Sequence, residues 1–357
     1  FDLVADPTAS TEVKEKGLFE ILKRIVSNDK CLEIFVKSQK ERQLPFLIKG
    51  LAEVSLSILI PVLTKYPQSY IPDYLGLFES LLSQFPLKII RLIYILASGP
   101  FDHKVTGQFM LFILKYSQVF MQNDCTFPMV QTMYKILLKD KQLITEQNPQ
   151  IIKLLSICLL APSNETLVAT YSLLVFLRPG MIAVDPSLLV RHIKDHAIKQ
   201  DVLKVLCCTR PVKVTDQLIA ALLDECQTSQ HAKYALFLLA KFADVQPTFL
   251  QHSDLIFLNP EIDPEVSIKI LLILLQDPKL TIHAFQQKGG VTNQYAQNIR
   301  VLYEDGFPQM LTRALNKLTT PMIMSISNIL TRLPPESTST LVERLAQTGF
   351  ITNLAMI

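Results

Sequence analysis

The sequence predicts an all-α protein in which many short helices stack into a solenoid. Apolar residues recur at helical spacing along most of the 357 residues, as in Leu18, Ile21, Leu22 and Ile25. The 21 prolines outnumber the 10 glycines and fall mainly between periodic stretches, because proline disrupts a helix interior but fits the first turn. Alternating strand patterns are hard to find. About 16 to 20 helices of about 10–16 residues are predicted.

Taken in order along the chain, the helical periodicity is clear at residues 18–25, 74–82 and 218–223. Longer helices are predicted over residues 169–177, 232–242 and 267–275. Three Asp-Pro pairs predict helix starts, because Asp can cap a helix and Pro can occupy its first turn. These pairs begin at Asp185, Asp263 and Asp277.

Near the C-terminal end, Gly306 and Phe307 return 43 residues later as Gly349 and Phe350. The segment between them predicts three helices: one from residue 307, a second from Pro321, and a third containing residues 341–345. Helices that are apolar on more than one face cannot bury themselves as isolated hairpins, so we expect each unit to cover its neighbour. Three helices in this length match repeats of about 40–47 residues.

Residues 306–349 resemble one armadillo repeat, with a Gly-Phe-Pro start, a Leu-rich helix and a long helix containing SNIL. A similar start, GLFEIL, begins at Gly17, and Leu44 begins a further Pro-containing one without glycine. The resemblance implies an armadillo/HEAT-like right-handed superhelical solenoid of roughly seven to nine repeats. We expect one repeat domain over residues 1–357, as a fragment of a longer protein, because the chain starts at Phe1 and ends within an apolar stretch.

The composition is that of a folded chain, since 49% of the residues are hydrophobic. The 35 Lys and Arg residues nearly balance the 32 Asp and Glu residues, which argues against a nucleic-acid partner. Six cysteines without a CxxC pair indicate reduced thiols, typical of a cytoplasmic protein, with a nuclear location as the alternative. No apolar run approaches the ~20 residues of a transmembrane helix.

No pattern predicts a catalytic residue, a cofactor or a metal site. His192 and His196 have the spacing of two ligands on one helix face, but Ile193 stands where a zinc protease needs Glu. We therefore expect both histidines to face solvent. The adjacent Cys207 and Cys208 are interpreted as the apolar end of a helix. Glycine-rich phosphate-binding loops are absent from the sequence.

A local basic stretch occupies residues 187–213. It is interpreted as a solvated surface, with an acidic partner, an acidic lipid or RNA as alternatives. Two aspartates, Asp195 and Asp201, stand against its six basic residues. Those six are Arg191, Lys194, Lys199, Lys204, Arg210 and Lys213.

The resemblance also implies candidate partner-binding residues. In armadillo proteins of the importin-α type, Trp and Asn four residues apart on the inner helices hold an extended peptide. Asn328 matches that Asn and Met324 stands at the Trp position, whereas the chain contains no Trp. Tyr171, Tyr234 and Lys269 occupy the corresponding places on other helices. For the two tyrosines, core packing is the competing interpretation.

The resulting functional hypothesis is a protein-protein interaction scaffold or regulatory module. It would bind a partner protein, an extended peptide or another domain of the same chain along the solenoid surface. The first alternative is a nuclear-transport adaptor for basic signal peptides. The second is an enzyme with an unrecognised site. The identity of the partner and the oligomeric state stay open.

Overall fold

The computed structural model describes residues 2–6, 8–40, 51–242, 244–251, 256, 262–274 and 335–349, with seven isolated positions between 308 and 327. These residues are predominantly helical, so the all-α prediction is confirmed. Backbone contacts divide the chain into two compact units, Phe1–Leu173 and Leu174–Ile357. Within the described residues, no helix is long and apolar enough to cross a membrane.

The helices up to the boundary between the units share a length of four to seventeen residues and alternate with short turns. They are α1 Asp2–Ala5, α2 Thr11–Ser27, α3 Asp29–Lys37, α4 Ala52–Lys65, a 3-10 turn Pro67–Ser69, α5 Asp73–Leu81, α6 Pro86–Leu96, α7 His103–Lys115, α8 Ser117–Gln122, α9 Thr126–Lys139, α10 Gln142–Cys158 and α11 Asn164–Leu177.

The second unit contains the remaining elements. They are β1 Met181–Ile182, α12 Pro186–Lys194, α13 Lys199–Leu206, β2 Arg210–Pro211, α14 Asp216–Glu225, α15 Gln230–Ala240, α16 Gln246–Gln251, α17 Pro264–Leu274 and α18 Pro335–Gln347.

Helices pack on partners one or more hairpins further along the chain. In the first unit α2 packs on α4, α4 on α6 and α6 on α9, while α7 packs on α10. In the second unit α12 packs on α14, and α13 packs on α15, which packs on α17. The helices α4, α6 and α15 therefore each pack against one helix earlier in the chain and one later.

The stacking step differs from the predicted repeat length. The helices α4, α6 and α9 begin at residues 52, 86 and 126, and α13, α15 and α17 begin at 199, 230 and 264. These steps of 31 to 40 residues are mostly shorter than the expected 40–47, because most steps contain two main helices rather than three. The 43-residue segment 306–349 lies mostly outside the described residues, apart from α18, which contains the predicted helix at 341–345.

The helix starts follow the predicted capping chemistry. The Asp185 carboxylate accepts a hydrogen bond from the Ser187 amide at 2.9 Å, and α12 begins at Pro186. Asp263 accepts from the Glu265 amide at 3.1 Å in the same way at α17. The pair at Asp277 lies outside the described residues. The predicted apolar positions of α2 and α14 are also confirmed, since Leu18, Ile25 and Leu218 are buried.

Two features were not predicted from the sequence. A parallel two-residue bridge joins β1 to β2, pairing Met181 with Arg210 and Ile182 with Pro211. It is too short to leave an alternating pattern. An aromatic cluster fills the core between α5 and α7: Phe109 packs edge-to-face against Tyr70 and Phe101, with ring centroids 5.3 and 5.7 Å away.

Candidate partner-binding surface

Tyr171 is fully buried within α11, so it is withdrawn from the candidate partner-binding residues. Its ring packs in the core, where burial raises the pKa of its hydroxyl far above the usual range. The resemblance to armadillo proteins placed Tyr171 at a partner-binding position, with core packing as the competing interpretation, and the structure favours core packing. In an apolar helix such as α11 the periodicity does not distinguish a surface aromatic residue from a core one.

Tyr234 and Lys269 lie close together on the exposed face of neighbouring helices. The Tyr234 side chain is 61% exposed on α15, and its ring lies edge-to-face against Phe237 with centroids 6.3 Å apart. From α17, the Lys269 ammonium lies 5.6 Å from the Phe237 ring centroid and pairs with Glu265 at 2.6 Å. The three residues Tyr234, Phe237 and Lys269 form an aromatic–basic cluster at the surface of the second unit.

Of the two remaining candidate residues, Met324 and Asn328, the structure describes only the first. Met324 is among the described positions and is 64% exposed. Asn328 lies outside the described residues, so the proposed Met324–Asn328 pair stays a prediction.

Sequence reasoning missed an exposed surface on the first unit, which we call the exposed ladder. It contains three sets of side chains, one on or just after α6, one on α9 and one on α11. Within each set the intervals along the sequence are three residues and then four, and the α9 set lies 40 residues after the α6 set. The ladder consists of Arg91, Tyr94 and Ser98, then Gln131, Tyr134 and Leu138, then Glu165, Val168 and Ser172. The 40-residue recurrence of IRLIY as VQTMY was the sequence signal that could have revealed it.

A groove opens in the ladder between α9 and α11. It has a volume of about 590 Å³ and is lined largely by apolar atoms, with Phe127, Tyr134 and Val168 among its walls. The groove exists because the backbones of α9 and α11 approach each other less closely than those of α6 and α9. The widened step leaves side chains of both helices accessible within one cleft.

Ion pairs join different elements of the fold in both units. Lys88 pairs with Glu53 at 2.9 Å in the first unit, and Lys199 pairs with Glu225 at 2.9 Å in the second. Arg210 makes two short bonds to Asp244, at 2.7 and 2.8 Å, and its guanidinium stacks on the Phe242 ring. These pairs link residues that are 26 to 35 positions apart in the sequence.

The basic stretch at residues 187–213 is therefore partly neutralised by the chain itself. Lys199 and Arg210 are engaged as described, and Lys204 pairs with Asp201 at 3.2 Å. Half of the six basic side chains thus contribute little positive field to an acidic ligand.

The predicted pair of solvent-facing histidines is wrong for His192, which is only 3% exposed within α12. Burial lowers the pKa of its imidazole, which favours the neutral form. His196 is exposed and follows the end of α12, so the two rings do not share a face. In the described part of the chain, no group of three or more His, Cys, Asp or Glu side chains is arranged to hold a metal ion.

The six cysteines are free thiols in the structure. Cys207 donates a hydrogen bond to the His231 carbonyl oxygen at 3.0 Å. Burial raises the pKa of the Cys207 thiol to about 11, so it stays protonated at neutral pH. A protonated thiol is a poor nucleophile.

No protein-family model matches the chain, and no curated protein shows significant sequence similarity to it. The armadillo/HEAT assignment thus stays a proposal supported by the resemblance and by the stacking of the helices.

One polar contact of the first unit predicts a pH-dependent stability. The His103 ring on α7 bonds to the Asp140 carboxylate at 2.6 Å and lies 3.3 Å from a Glu146 oxygen on α10. The hydrogen bond to Asp140, with smaller contributions from both carboxylate charges, raises the pKa of His103 above its usual value. The contact between His103 and Asp140 therefore stabilises the folded state fully below the unfolded-state pKa of about 6.5. This stabilisation is lost as pH rises through the higher folded-state pKa of His103.

We therefore expect the first unit to resist urea better at pH 5.8 than at pH 8.5, and His103→Gln to reduce that difference. Urea midpoints from circular dichroism at both pH values test this, with His196→Gln as the exposed control. An equal reduction in both variants would contradict a specific role of the His103 contact.

Proposed function

We propose that the chain is a helical-repeat protein-interaction module of the armadillo/HEAT type. It binds a partner protein or an extended peptide along the exposed ladder of the first unit and the aromatic–basic cluster of the second. The observation that carries the proposal is the recurrence of exposed side chains at equivalent places on successive helices, with Tyr94 and Tyr134 at the same ladder position.

The stacking of each unit supports this class of protein. Each helix packs mainly on neighbours in its own step and the adjoining ones, which is the arrangement of repeat proteins. A stack of this kind presents equivalent side chains in rows, and such rows suit an elongated ligand. The right-handed superhelix and the number of repeats belong to the same proposal.

The exposed aromatic residues support binding rather than solvation alone. Tyr94, Tyr134 and Tyr234 are 39%, 36% and 61% exposed, although tyrosine rings normally gain by burial. A tyrosine adds a large contact area while losing little conformational entropy on binding.

Site-specific photo-crosslinking tests the proposal. The photoreactive residue p-benzoylphenylalanine replaces Tyr134 or Tyr234 in the full chain, expressed in its source cells. Replacement of Phe19, an aromatic residue of α2 that is 52% exposed and lies outside both surfaces, is the matched control. We expect a protein partner to be crosslinked from position 134, from position 234 or from both. No crosslink to that partner is expected from position 19. Crosslinking of equal yield from all three positions would contradict the proposal.

A further inference from the structure

The groove between α9 and α11 has walls that select for a particular side-chain chemistry. Its nine lining residues include two aromatic rings, Phe127 and Tyr134, which stand seven residues apart on α9. Seven residues correspond to about two helical turns, or about 10 Å along the axis. Val130, Val168 and Ala169 supply an apolar floor between them. A cleft of this size and lining takes an apolar side chain with little desolvation cost.

Glu165 is the sole carboxylate or basic side chain among the groove residues. Its side chain is exposed in the first turn of α11, and within the described residues it makes no ion pair. The groove therefore combines an apolar cleft with one carboxylate that makes no ion pair within the described residues.

Between α6 and α9, the step before the groove, a lysine of the chain contacts the ladder tyrosine. The Lys135 ammonium lies 3.7 Å from the centroid of the Tyr94 ring, so an ammonium contacts this ladder tyrosine directly. On α11 the residue that follows Val168, as Lys135 follows Tyr134, is Ala169, which lines the groove. The α9–α11 step thus has an apolar residue where the preceding step has a lysine.

We propose that the α9–α11 groove binds an extended peptide segment in which an apolar side chain enters the cleft and a neighbouring Arg or Lys pairs with Glu165. The inference rests on the proposed function and specifies its ligand. A single carboxylate among apolar walls favours one basic residue beside an apolar one. A run of consecutive basic residues would leave most of its charges without a partner here.

Selection from a random dodecapeptide display library on the purified full chain tests this preference. We expect peptides enriched by the wild type to contain one Arg or Lys within two positions of Leu, Ile, Phe or Met. Glu165→Lys should replace the basic residue by Asp or Glu in the enriched set. Glu20→Lys makes the same change of charge on the exposed surface of α2, outside the groove, and should leave the enriched set unchanged.

Fluorescence polarisation with the most enriched peptide then separates the charge from the cleft. Glu165→Gln should weaken binding about three-fold, as expected for an exposed ion pair. Tyr134→Ser should weaken it about ten-fold, because it removes one wall of the cleft. Phe19→Ser is the matched control: it removes an aromatic side chain that is 52% exposed on α2, outside both proposed surfaces, and should change the Kd less than two-fold. Unchanged melting curves would show that the variants are folded.

The inference is overturned if Glu165→Lys and the wild type enrich the same peptides, or if Phe19→Ser weakens binding as much as Tyr134→Ser. Enrichment of runs of basic residues would also overturn it. Specific crosslinking from position 134 together with any of these results would leave the proposed function in place. The absence of both specific crosslinking and enriched peptides would remove the inference and the function together.

Discussion

Phe109→Ala is expected to lower the free energy of unfolding of the first unit by about 3–5 kcal/mol, the usual cost of truncating a buried aromatic residue. The Phe109 side chain is completely buried on α7. Its ring meets Tyr70 and Phe101 edge-to-face, so the substitution removes aromatic contacts as well as apolar surface from the core.

Urea denaturation of the full chain, followed by circular dichroism, measures this loss. Leu111→Ala is the control on the same helix, two residues further on, where the side chain is 52% exposed. We expect that variant to change the stability by less than about 0.5 kcal/mol. Because the chain has two compact units, the unfolding curve is fitted with two transitions, and the Phe109 variant should shift one of them. Equal shifts in the two variants would contradict the assignment of Phe109 to the core.

The second large effect separates two tyrosines that the sequence analysis treated as equivalent. Tyr171→Ala should destabilise the first unit by about 3–5 kcal/mol, because it empties the space of a fully buried aromatic side chain. Tyr234→Ala should change the stability of the second unit by no more than about 0.5 kcal/mol, because that side chain is 61% exposed.

For partner binding the ranking of the two variants should be reversed, with the larger loss of affinity in Tyr234→Ala. Tyr234→Ala removes an exposed ring from the aromatic–basic cluster, so we expect at least a ten-fold loss of affinity, as for an aromatic contact of about 1.4 kcal/mol at an interface. Tyr171→Ala, assayed at a temperature where it remains folded, should bind the partner as the wild type does. Thermal melts and binding titrations on both variants measure the two quantities. Comparable loss of binding in the folded Tyr171 variant would show that α11 contributes to the interface through its buried face.

Local features of the fold were predictable from the sequence because they depend on neighbours along the chain. The caps at Asp185 and Asp263 satisfy amides two residues away, and the helices begin at the prolines that follow them. The periodicity that identified α2 and α14 likewise reports which residues of one helix share a face. These interactions close within a few residues, so their patterns are visible in the sequence.

The candidate surface was only partly predictable. Tyr234 and Lys269 were selected from the sequence, and the structure brings them together around the Phe237 ring. Tyr94 and Tyr134 were missed because they lie in apolar helices with the same local composition as the helix that buries Tyr171. A helix in the middle of a stack buries two faces, so the remaining exposed strip is narrow and its direction depends on both neighbours.

The sequence by itself thus determined the helical class, the capped helix starts and the thiol content, which follow from short-range chemistry. Tertiary structure alone decided the length of the stacking step, the burial of Tyr171 and His192, and the opening of the groove beside Glu165. The physical reason is that burial depends on which helices meet and how closely. Those contacts join residues about 30–40 positions apart, beyond the range of any local pattern.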